Sequence, residues 1–93
     1  MNTETLTRVQ IIEQKIKQAL NPQSIEIIDD SSQHIGHAGA ERGAGHYTVI
    51  VIAAQFETLS KVKRHQLVYA TIQDMIPNEI HALQIKALAP NEV

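Results

Sequence analysis

The sequence has no cysteine, no tryptophan and a single phenylalanine, and no apolar run approaches the ~20 residues of a membrane-spanning helix. Without cysteine there is no disulfide, and no thiolate metal site can be built by this chain alone. The missing thiol also suits a reducing compartment, so the cytoplasm is the expected location. The N-terminal residues carry no signal-peptide pattern. With aromatic residues at 3%, the core must come from Ile, Val, Leu and Ala, and few rings remain for stacking on nucleic-acid bases. A net charge of −2 gives no overall attraction to nucleic acid; only a local patch could supply one. A length of 93 residues fits one domain, residues 1–93, around one modest core.

What is present is unevenly spread. All four glycines (Gly36, Gly39, Gly43 and Gly45) and three of the five histidines (His34, His37 and His46) fall within residues 31–46. Glycine frees the backbone, and neutral imidazole is the commonest protein ligand for metals. This stretch is also longer than a hairpin turn requires.

Regular elements surround it. Leu6, Val9, Ile12, Ile16 and Leu20 keep helical spacing, with Asn2 or Thr3 as cap and Asn21-Pro22 as stop. Ile25, Ile27 and Ile28 mark a strand over 24–30. Residues 47–52 are β-branched almost throughout and apolar on both faces, which predicts a central strand. Ser60 caps a second helix with Val62, His65, Val68, Tyr69, Ile72 and Ile76 on one face, closed by Pro77-Asn78. From His81 to Leu88 the pattern alternates, with His81, Leu83, Ile85 and Ala87 on one side.

The order α-β-β-α-β predicts an α+β fold: a three-stranded mixed sheet with two helices packed on one face. The first two strands are antiparallel neighbours, and a helical crossover makes the third parallel to the second. The end of strand one and the starts of strands two and three then share one rim. His34, His37, His46 and His81 belong to that rim; His65 does not.

Blander readings weigh against each signal. His81 alone reads equally well as a packed strand residue, and His34 and His37 as exposed loop residues. His46 reads mainly as structural. The glycines lack Walker or dinucleotide spacing. Asp29 and Asp30 suit a capped turn, and Ser31 and Ser32 lack a nucleophile-elbow context. Lys61, Lys63 and Arg64, in the first turn of helix two, read first as a solvated basic turn and second as a nucleic-acid or anion site.

Taken together, Asp29-Asp-Ser-x-x-His34, Gly45-His46-Tyr47, Phe56, Arg64-His65 with Val68-Tyr69, and Ile80-His81-Ala82-Leu83 resemble the BolA-like proteins, nearly end to end. The resemblance implies a class II KH-like shape and a non-enzymatic partner protein. Members of that family pair with monothiol glutaredoxins and share a [2Fe-2S] cluster completed by glutathione, with no cofactor in the isolated chain. Carried over by position, His81 takes the invariant histidine and His34 the variable loop ligand, with His37 as second choice. Many relatives have histidine at Ser32 and arginine at Gln66; the first departure makes Ser32 dispensable for binding, and the second thins the basic surface. Two alternatives stand beside this: a DNA-binding transcriptional regulator, and a zinc site from His34, His37 and His81. No membrane partner is expected, and a weak homodimer is compatible.

Overall fold

The structure, a computed structural model, describes residues 6–31 and 45–93. Helix α1 spans Arg8–Leu20. Its cap is Thr7, whose hydroxyl accepts from the Gln10 N–H (3.1 Å) while its own N–H donates to Gln10 Oε1 (2.8 Å). That reciprocal capping box satisfies two helix-end groups at once. The expected caps, Asn2 and Thr3, lie outside the described residues. At the other end Asn21 adopts the left-handed conformation (φ 46°) and donates its N–H to Lys17 O at 2.9 Å. Asparagine tolerates that geometry, and Pro22 cannot continue the helix.

Strands β1 (Ser24–Asp29), β2 (Gly45–Ile52) and β3 (Ile80–Leu88) form one sheet in the order β1-β2-β3. β1 is antiparallel to β2, and β3 is parallel to it. Helix α2 (Lys61–Ile72) provides the crossover, its Ser60 Oγ accepting from the Lys63 N–H at 3.2 Å. The expected α+β arrangement with β2 at the centre is what the chain adopts.

Tyr47, Val49 and Val51 project from one face of β2 into a cluster with Ile12, Ile16 and Leu20 of α1 and Val68 and Ile72 of α2. Phe56 and Met75, from short 3-10 turns at Ala54–Thr58 and Gln73–Met75, join the same cluster. The opposite face of β2, carrying Thr48, Ile50 and Ile52, is only half-buried.

Two expectations are corrected. The buried stripe of α2 is Arg64, Val68 and Ile72, at i, i+4 and i+8; Val62 is 66% exposed, and His65 and Tyr69 also face out. The helix is rotated relative to the apolar pattern because an arginine, counted as a surface cation, turns inward. In β3, Ile80 is fully buried in the core while His81 is exposed, so His81 does not share the inward row of Leu83, Ile85 and Ala87. The cause is a register break. Gly45 pairs with Ile80 and His46 with Ala82, which leaves His81 as an extra residue.

Candidate metal-ligand rim

The start of β2 is held from two directions. The Asp30 N–H donates to His46 O (2.7 Å), and the His46 N–H donates to Ser31 Oγ (3.1 Å). Asp29 Oδ1 in turn accepts from the Ser31 N–H at 2.9 Å, a local turn in which a carboxylate fixes its own downstream backbone. One residue earlier, the Gly45 N–H donates to Glu79 O at 3.0 Å, tying β2 to the entry of β3. Ser31 and Gly45, which flank residues 32–44, therefore both sit at this rim.

Gly45 has a specific steric reason. A Cβ there would collide with the ring of Tyr47, which folds back along the strand over the glycine. The ring is itself buried in the core, so it has little freedom to withdraw.

Above this base, the His46 and His81 rings approach to 5.1 Å between centroids, inclined at 52°. His46 is 8% exposed, whereas His81 is open to solvent. Bulges commonly re-aim a side chain beside a functional site, and here the unpaired residue is the exposed imidazole. Next to the pair lies a shallow pocket of about 180 Å³ on the sheet face away from the helices, lined by Asp30, His46, Thr48 and Gln84 among others. The Thr48 hydroxyl donates to Asp30 Oδ2 at 2.7 Å, which occupies that carboxylate oxygen internally.

The proposed ligands His34 and His37 lie outside the described residues. His46 and His81 do meet at the shared rim, and His65 sits elsewhere, its ring stacked on Tyr69 of α2 (6.4 Å, 15°). Among the described residues no group of three His, Asp or Glu side chains is arranged to enclose a metal.

The basic turn at the other pole divides. Lys61 and Lys63 are exposed, but Arg64 is only 5% exposed. Its Nε donates to Leu59 O (3.0 Å), its Nη1 to Ala87 O (3.2 Å) and to Glu92 Oε1 (2.6 Å), and its Nη2 to Glu92 Oε2 (3.0 Å). Glu92 Oε1 also accepts the Ala89 N–H at 2.8 Å. The bidentate hydrogen bonds from Arg64, helped by that N–H, hold the Glu92 carboxyl down to about 2. Arg64, expected to serve an anion site, is thus committed to an internal clasp. Its place in the i, i+4 register with Val68 and Ile72 was the signal available from sequence.

Comparison with known proteins decides the lineage. A profile of the family described as BolA-like protein matches residues 16–92. The chain belongs to the BolA-like family. It is 38% identical over 87 residues to SufE-like protein 1, chloroplastic/mitochondrial, of Arabidopsis thaliana, covering 88% of this chain and 24% of that one. It is 34% identical over 83 residues to the DNA-binding transcriptional regulator BolA of Haemophilus influenzae, covering 89% and 78%. The solved BolA domain of SufE1 from Arabidopsis thaliana superposes with a TM-score of 0.81 at 36% identity, covering 97% of this chain and all of that domain. The chain thus spans about a quarter of its SufE-like relative. Among the described residues of this BolA-like chain, no helix is long and apolar enough to cross a membrane.

Proposed function

We propose that this BolA-like chain is a non-enzymatic accessory protein that docks a monothiol glutaredoxin and shares a [2Fe-2S] cluster with it. In this reading His81 and His34 each give one imidazole nitrogen to one iron, with His37 as the alternative loop ligand. The glutaredoxin thiolate and glutathione hold the other iron.

The observation that carries the reading is the exposed His81 imidazole, lifted out of the strand's alternation at the rim that residues 32–44 leave and rejoin. One open imidazole cannot hold iron alone, and among the described residues no group of three His, Asp or Glu side chains stands ready to enclose a metal. Such a site suits ligands arriving from a partner. Ser31 and Gly45, the described residues that precede and follow the segment carrying His34 and His37, are both hydrogen-bonded at this rim. Imidazole in place of thiolate raises a cluster's potential and lets protons compete for the ligand, properties suited to delivery or sensing. A reducing compartment such as the cytoplasm goes with this reading, because the partner thiol must stay reduced.

The test is to mix the chain with cluster-loaded monothiol glutaredoxin and record visible absorption and circular dichroism. A mixed-cluster spectrum distinct from that of glutaredoxin alone, altered by His81→Ala and by His34→Ala, is expected. An unaltered spectrum in both variants overturns the ligand assignment.

A second reading, DNA binding, rests on the name of the Haemophilus relative and on the exposed Lys61 and Lys63. With Arg64 internally paired, two phosphate contacts remain available, for which the slope of log affinity against log salt is about −1.8. A flat dependence rejects this reading.

A further inference from the structure

We infer that His46 is a positioning residue for His81: its buried ring, with the register break beside it, fixes the direction in which the His81 imidazole leaves the sheet. The inference rests on the ligand role proposed for His81 and adds a role for a second imidazole.

An exposed residue at the start of an edge strand would ordinarily sample several staggered rotamers, and each rotamer carries the ring nitrogens to a different place. Two features restrict His81. The unpaired position between Ile80 and Ala82 sets its backbone, because Ile80 is anchored in the core and Ala82 is paired to His46. The His46 ring then stands 5.1 Å away at 52°, a tilted arrangement within the range at which aromatic rings pack favourably. His46 is a firm backstop. Its carbonyl accepts from Asp30 and its N–H donates to Ser31, so the residue is clamped on both sides of its Cα before the ring is considered. A ligand held this way loses less rotamer freedom when an iron arrives, and pre-organisation of that kind strengthens binding.

Three variants, His46→Ala, His46→Phe and His81→Ala, separate the roles. Phenylalanine keeps a ring but has no ligating nitrogen. The first readout needs no cluster: side-chain couplings and ring-to-ring cross-relaxation of His81 by NMR on the isolated chain, below the melting transition of each variant. A single His81 rotamer in wild type and in His46→Phe, with averaged couplings in His46→Ala, is expected. The second readout is cluster retention with glutaredoxin, where His46→Ala should weaken binding about tenfold to a hundredfold and His46→Phe should restore most of the loss. His81 equally ordered in His46→Ala overturns the inference, whatever the cluster does. Loss of the cluster in His46→Phe as complete as in His81→Ala, with His81 still ordered, makes His46 a ligand and also overturns it. If NMR shows the positioning but no variant or wild type forms a mixed cluster, the positioning stands and the proposed function fails.

Discussion

The two ends of β3 treat their polar side chains in opposite ways. Past the C-terminal end, Glu92 turns back onto Arg64, and the guanidinium is enclosed by the Leu59 and Ala87 carbonyls and a bidentate carboxylate. At the N-terminal end, His81 is exposed and rests against a buried neighbour ring. A charge taken out of water must be met internally, which makes the clasp a structural device. An imidazole left in water with its neighbours fixed is free to meet something from outside. The difference separates a stability pole from the pole proposed here for binding, on one strand.

Substitutions sharpen or break that contrast. The largest effect is expected from His81→Ala, which should abolish the mixed-cluster spectrum while moving stability by no more than about 0.5 kcal/mol, as for an ordinary surface position. Equilibrium urea unfolding beside the visible spectrum checks both halves. Glu92→Gln should do the reverse. It leaves a buried guanidinium facing a neutral amide, so the melting temperature falls while the spectrum with glutaredoxin is kept. If the two variants shift the same observable, the poles are not separable.

Acid should weaken the clasp. The Glu92 carboxyl is held at about 2, below its ordinary 4.5, chiefly by hydrogen bonds from Arg64. A carboxyl depressed on folding stabilises the protein fully above its unfolded value, and that contribution is lost as pH falls from about 4.5 toward 2. Urea midpoints measured through this window should decline in wild type and decline less in Glu92→Gln. Equal slopes would remove the clasp from the account.

Gly45→Ala probes the base of the binding pole. The added methyl meets the Tyr47 ring, and over-packing of this kind costs about 1–3 kcal/mol. The smallest effect is expected at Thr7→Ala, where loss of the capping box costs about 1 kcal/mol and leaves both poles untouched.

Element order, strand pairing and the shared rim were legible because they follow from hydrophobic period and from what a helical crossover permits between strands. The capping box at Thr7 was legible too, as Thr-x-x-Gln before an apolar run, although earlier residues drew attention away from it. The rotation of α2 was only half legible: Arg64 stands in register with Val68 and Ile72, but the carboxylate that meets its charge inside, Glu92, lies 28 residues downstream. The exposure of His81 was hidden for a related reason. Strict alternation places it inward, and only the pairing of Gly45 with Ile80 and His46 with Ala82 reveals one residue too many. Local pattern predicts elements; partners distant in sequence decide which side chains are spent on packing.

The most direct measurement of the central claim uses the chain labelled with ¹⁵N at histidine, unlabelled monothiol glutaredoxin, and pulsed electron–nuclear resonance on the reduced shared cluster. Nitrogen hyperfine coupling from the labelled chain, lost in His81→Ala, is the predicted result. A cluster bound to the complex with no coupling to labelled nitrogen would contradict the account.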